Sequence, residues 1–254
     1  MYLHLKKIDF FFSNKLINFE KLFNRQMWIY NKFPLKKKNT YKIIYIIQFL
    51  FVALKRSMFS FPLVIFSKKE NQALLIKCYS RNDIDKHSRY YEKISGINVC
   101  TFNKRIFKID LISIFLCFFF LIKYRQNWLK TLKKNNTTFF SFTGLKIIID
   151  LFDALSDLIK IFPIIIRYSK LISFQEMVLK ENLICQIAKL LNIKTFALQH
   201  SIYTKNDSKN HYPRGLKISD HLSSVSDNIL CWGNFTKNIY KKHTNADVFV
   251  VGKA

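Results

Sequence analysis

From Ala73 onward, short apolar runs of strand length alternate with longer segments of helical periodicity. Residues 73–79, 97–102, 170–174, 195–199, 228–232 and 247–251 read as buried strands. Between the first two, Asn82 or Asp83 caps a helix ending near Ile94, with Gly96 as its stop. Two long helical regions follow over roughly 109–133 and 144–168. Residues 180–191 carry apolar side chains at helical spacing, and Asn234 opens a short helix to about His243. Strands alternating with helices predict an α/β fold with an open, mostly parallel, Rossmann-like sheet. Only 5 Gly and 4 Pro occur, too few for an all-β protein built on many tight turns. No repeat of solenoid period and no glycine-rich phosphate loop is present.

The sequence divides into a basic, apolar helical N-terminal region over 1–69 and the α/β domain over 70–254. Residues 18–30 have helical spacing, and Pro34 with Lys36, Lys37 and Lys38 breaks it. Lys and Arg number 42 against 16 Asp and Glu, a formal charge of +26 that draws the protein to polyanions. Neither zinc-finger spacing nor an RNA-binding aromatic signature appears, so nucleic acid is not the expected partner. An anionic membrane surface fits better. Segments 43–66, 111–122 and 145–168 are apolar and flanked by Lys or Arg, yet too short or too broken by charge to span a bilayer. The expectation is peripheral attachment to the inner face of the cytoplasmic membrane, chiefly through 43–66, with 111–122 reading equally as a buried helix. Cys78, Cys100, Cys117, Cys185 and Cys231 are odd in number, widely spaced and set in apolar segments. They read as reduced core residues of a cytoplasmic protein. Residues 1–12 lack the features of a signal peptide.

In an open α/β sheet, ligands bind beyond the carboxyl ends of the strands. Two such ends carry chemistry here. Gln175 and Glu176 follow the third strand, with Glu181 and Asn182 in the first turn of the next helix. Gln199 and His200 close the fourth strand, where a histidine titrating near neutrality can meet a ligand. The polar loop over 201–227 adds Tyr203, Lys205, His211, Tyr212, Arg214 and His221, with cations suited to phosphate or an acidic sugar. His200, His211 and His221 lack zinc-site spacing and no Cys joins them, so no metal is expected.

The runs Ile172-Ser-Phe-Gln-Glu176, Glu181-Asn182, Leu198-Gln-His-Ser-Ile-Tyr203, Asn228-Ile-Leu-Cys-Trp-Gly233 and Val250-Val-Gly252 resemble, in order and spacing, blocks of a glycosyltransferase family. That family comprises bacterial GT-B enzymes of capsule and lipopolysaccharide synthesis, related to CDP-glycerol glycerophosphotransferases. Ser201 and Ala254 stand where the family has glycine and proline. The resemblance covers about residues 170–254. It implies the acceptor-side domain of a transferase without its donor-side domain. The complete enzyme would move a sugar from a nucleotide-sugar donor to a glycan or lipid-linked acceptor, with no further cofactor. On that basis His200 and Glu176 are the candidate catalytic residues. Gln199, Tyr203, Tyr212, Arg214, Glu181 and Asn182 are candidate substrate contacts. The alternatives are glycerophosphate transfer from a CDP-activated donor and a non-catalytic, membrane-associated remnant.

Overall fold

The computed structural model describes residues 17–32, 39–66, 73–78, 86, 89, 96–174, 178–199 and 224–252. In chain order these form α1 (Phe19–Lys32), α2 (Asn39–Phe59), β1 (Ser60–Ile65), β2 (Ala73–Lys77) and β3 (Asn98–Phe107). Then come α3 (Leu111–Lys123), α4 (Arg125–Lys134), α5 (Phe142–Ile165), β4 (Lys170–Ser173), α6 (Leu179–Leu190), β5 (Lys194–Leu198), β6 (Asn228–Cys231), α7 (Asn234–His243) and β7 (Asp247–Val250). The helix expected over 82–94 lies outside the described residues, apart from Lys86 and Arg89.

The α/β architecture and the mostly parallel sheet expected from the sequence are present. Among the described residues seven strands pair in the order β1-β3-β2-β4-β5-β6-β7, all parallel except β1 against β3. Order reverses at β2: β3 lies on one side of it and β4 on the other. The crevice between β2 and β4 is therefore the switch point, where an open α/β sheet binds ligands. Leu74, Leu75 and Ile76 are fully buried, as a strand covered on both faces requires.

Strand β1 was not legible. Segment 43–66 reads as an apolar stretch broken by Lys55 and Arg56, but the chain leaves helix only at Phe59, where it turns into an edge strand. Lys108 donates to the Phe59 carbonyl at 3.0 Å and Asp110 to that of Met58 at 2.7 Å, closing the crossing onto β3. Pro62 tolerates the strand because it sits on the edge, beside an irregularity between Pro62 and Leu63. The boundary drawn near residue 69 thus falls between two strands of one sheet. Helix α1 also packs on the α/β core, with Leu22 and Phe23 fully buried.

The principal core lies between one face of the sheet and helices α1, α3, α5 and α6. Its spine is α5, whose residues from Leu155 to Phe162 are almost entirely inaccessible. Ser141 caps this helix, accepting from the Gly144 N–H at 3.0 Å. A side chain at Gly144 would collide with the preceding turn, since a Cβ would lie 2.1 Å from the Thr138 carbonyl oxygen. The region expected as one helix over 109–133 breaks at Tyr124 into α3 and α4. At the end of α6, Asn192 takes a left-handed conformation (φ 60°), Ile193 donates to Ala188 at 2.9 Å and Asn192 donates to Lys189. That Schellman turn aims the chain straight into β5.

Candidate functional site

A cleft of about 810 Å³ opens at the carboxyl side of β2 and β3, against the start of α6. Cys78 lies at the end of β2, Phe102 and Arg105 on β3, and Val178, Leu179 and Lys180 at the start of α6. Its other walls are α2, through Val52, Lys55 and Arg56, and α5, through Lys146, Asp150 and Asp153. The cleft sits at the switch point that the strand order defines.

The charges are arranged as a chain of pairs. Arg105 grips the fully buried Asp157 through two parallel bonds of 2.6 and 2.9 Å. Lys180 bonds Asp157 as well and reaches Asp153 at 3.1 Å. Arg56 meets the same Asp153 oxygen at 3.1 Å, and Lys146 pairs with Asp150 on its own helix. Four elements, α2, β3, α5 and α6, are thereby cross-linked beneath the cleft. Burial opposes the charge on Lys180, but Asp157 and Asp153 outweigh it and hold its pKa above the ordinary lysine value. Burial likewise opposes the Asp153 charge, and Lys180 and Arg56 overcome it, so that carboxyl stays below its usual range. The remaining Asp153 oxygen, Oδ1, is buried with no hydrogen-bond partner among the described residues.

Beneath the α2–β1 junction, Lys160 donates to the Arg56 carbonyl at 2.5 Å and also to the Ser60 carbonyl. Here burial wins: it lowers the Lys160 pKa to about 8 despite the nearby Asp157 and Asp110.

The expected site residues within the described part all belong to the same edge of the sheet. Glu181 is buried in the first turn of α6, and its Oε1 accepts from the Cys78 N–H at 3.0 Å, tying α6 to the end of β2 across the switch point. Asn182 is fully buried and its Oδ1 accepts from Gln186 at 2.8 Å. Gln186 in turn grips both backbone groups of Asn18, before α1. Gln199 is buried at the end of β5, and its Oε1 accepts from the Trp232 N–H at 2.7 Å, clamping the ends of β5 and β6. The geometry thus gives these three side chains a bracing part in the edge. His200, Glu176, Tyr203, Tyr212 and Arg214 lie outside the described residues. The reading from sequence missed Lys180, Arg105, Arg56 and the Asp150–Asp153–Asp157 row. The row carried a signal, because three carboxylates at helical spacing interrupt an otherwise apolar helix. Among the described residues no group of His, Cys, Asp and Glu could hold a metal ion.

Beside the cleft lies an apolar face. Helix α2 exposes Ile47, Leu50, Phe51 and Leu54, and α3 exposes Leu111, Ile112, Phe115, Phe118 and Ile122, with Phe51 at 68% and Phe115 at 64%. A groove of about 560 Å³ between α2, α3, α4 and α5 is lined by Leu50, Leu54, Phe118, Ile122, Trp128 and Phe140 among others. Lys55, Lys123 and Arg125 stand at the ends of these apolar segments. Among the described residues no helix is long and apolar enough to cross a membrane.

No family model, curated protein or solved structure matches the chain.

Proposed function

We propose that the chain is the acceptor-side domain of a glycosyltransferase of bacterial surface-polysaccharide synthesis, working from the inner face of the cytoplasmic membrane. The observation that carries this reading is the charged cleft at the switch point of a parallel sheet, opening beside a cation-flanked apolar face. A hydroxylated, anionic acceptor fits such walls, and attachment to the bilayer brings the cleft to where polymer and lipid-linked acceptors reside. Two features support the resemblance of the blocks over 170–254. The Gln199 and Trp232 blocks are joined by a direct hydrogen bond. Gly252 has φ 77°, a backbone state that favours glycine.

In this reading His200 removes the acceptor hydroxyl proton as the new glycosidic bond forms, with Glu176 as the accompanying carboxylate. Tyr203, Tyr212 and Arg214 contact the substrates, and the nucleotide-sugar donor approaches the same edge. The test, made with the domain joined to a donor-side domain, is transfer of labelled sugar from nucleotide-sugar donors to membrane-borne acceptor. His200→Ala lowers turnover by about 10²–10⁴-fold, the usual contribution of a general base, while the thermal transition stays in place. Wild-type turnover in that variant would remove His200 from the mechanism.

A further inference from the structure

We infer that the cleft holds the phosphate of a lipid headgroup, with the start of the lipid's hydrocarbon body lying along the seam between α2 and α5. This deepens the membrane-surface reading above and rests on it. Five cations, Lys55, Arg56, Arg105, Lys146 and Lys180, face three carboxylates, Asp150, Asp153 and Asp157, so the site keeps an excess of two positive charges. That matches a phosphate dianion. The excess lies at the mouth. Lys55 is exposed and has no carboxylate partner among the described residues. Arg56 bonds Asp153 through Nη1 alone, one of the five donors of a guanidinium.

A soluble anion would need only that much. The cleft continues, however, into a slot of about 530 Å³ that shares Val52, Arg56, Asp150 and Asp153 with it. Beyond Arg56 the slot is mostly apolar, walled by Phe49, Val52, Ala53 and Ile149 with Gln48 beside them. It follows the flank of α2, whose outer side carries the exposed Ile47 and Phe51. Charge at one end and hydrocarbon at the other, beside an apolar face, is the complement of an amphiphile with a phosphate head.

The full chain is tested by co-sedimentation with phosphatidylcholine vesicles carrying a minor fraction of phosphatidic acid. The paired substitution Lys55→Gln with Arg56→Gln weakens this binding about tenfold, the size of one charge-assisted hydrogen bond. The paired substitution Lys241→Gln with Lys242→Gln, removing the same charge from α7, leaves it within about twofold, as for screened surface charge. Equal losses in both pairs would overturn the site and leave diffuse attraction. Lys55→Gln against Lys241→Gln repeats the comparison if the Arg56 change disturbs folding. Calorimetry with sn-glycerol 3-phosphate separates the two sources of phosphate. Weak binding, abolished in the Lys55/Arg56 pair, supports a lipid occupant; binding as tight as to the vesicles would overturn the lipid and leave a soluble phosphate ester. No binding of either ligand would overturn both. A chain that ignores vesicles yet binds glycerol 3-phosphate through Lys55 and Arg56 would overturn the lipid occupant together with the membrane reading and leave a soluble phosphate ester in the cleft.

Discussion

Gly144 and Lys160 are two residues of α5 whose neighbours dictate their behaviour. At Gly144 the Thr138 carbonyl occupies the place a Cβ would take, and its distance of 2.1 Å cannot be relieved by a rotamer change because the blocking atom is backbone. Gly144→Ala therefore lowers stability by about 1–3 kcal/mol, the usual cost of forcing an atom into a filled site, despite alanine's better helix propensity. Chemical denaturation at neutral pH measures it. Lys160 gives a pH signature. Its folded-state pKa of about 8 lies below the ordinary 10.5, so the unfolded chain holds that proton more tightly. Stability from this group consequently rises as pH climbs from 8 toward 10.5 and is lost as pH falls through 8. Burial raises the thiols of Cys78, Cys100, Cys117 and Cys231 above 9.0, which works in the opposite sense over the alkaline part of that range. A comparison of wild type with Lys160→Met cancels the thiols. The unfolding free-energy difference moves in favour of the wild type between pH 8 and 10.5; a difference that stays flat shows that Lys160 is not desolvated.

Among the elements, the charged network decides how α2, β3, α5 and α6 meet. Asp157 is fully buried between Arg105 and Lys180. Asp157→Asn leaves two cations facing one another with no full negative charge between them, and breaking a buried pair from one side costs about 3–5 kcal/mol. Urea denaturation reads the loss. Pairing that change with Arg105→Met recovers part of it, because the second substitution removes a stranded cation. The elements also show what sequence could and could not reveal. Each of the six expected strands has a counterpart in the sheet, because each is a short apolar run bounded by polar residues and needs no partner to be recognised. β1 escaped because Lys55 and Arg56, the charges that break segment 43–66, lie inside α2, while the turn out of helix at Phe59 carries neither Gly nor a polar loop to mark it. The break at Tyr124 escaped because it occupies a single residue, with neither Gly nor Pro between the two helices. Glu181 and Asn182 in the first turn of α6, and Gln199 at the end of β5, were legible as positions, and the structure gives their side chains bracing hydrogen bonds. Lys180, Arg105, Arg56 and Asp157 converge from four separate elements, and no local pattern encodes such a meeting.

At the scale of the whole molecule, the apolar face is the feature without an internal explanation. Residues such as Phe51, Phe115, Ile112 and Ile122 are more than half exposed and sit on adjacent helices, whereas scattered single apolar residues would need no account. The same surface carries cations at the ends of its helices, so in the proposed attachment hydrocarbon attraction and electrostatic attraction act together on an anionic bilayer. The two contributions respond differently to solvent. Raising salt screens the cations within a Debye length of about 8 Å at physiological strength, and releases only part of the protein from membranes. Detergent replaces the bilayer against the apolar residues and releases the rest. Phe51→Glu with Phe115→Glu abolishes the salt-resistant fraction, because two carboxylates then enter the face that contacts lipid. Their effect on the unfolding transition is small, since both side chains are exposed in the folded chain and contribute little to its core. Fractionation of membranes at low salt, at high salt and in detergent distinguishes these contributions. A chain recovered wholly in the supernatant at low salt, or a double variant that pellets like the wild type, would remove the apolar face from membrane attachment.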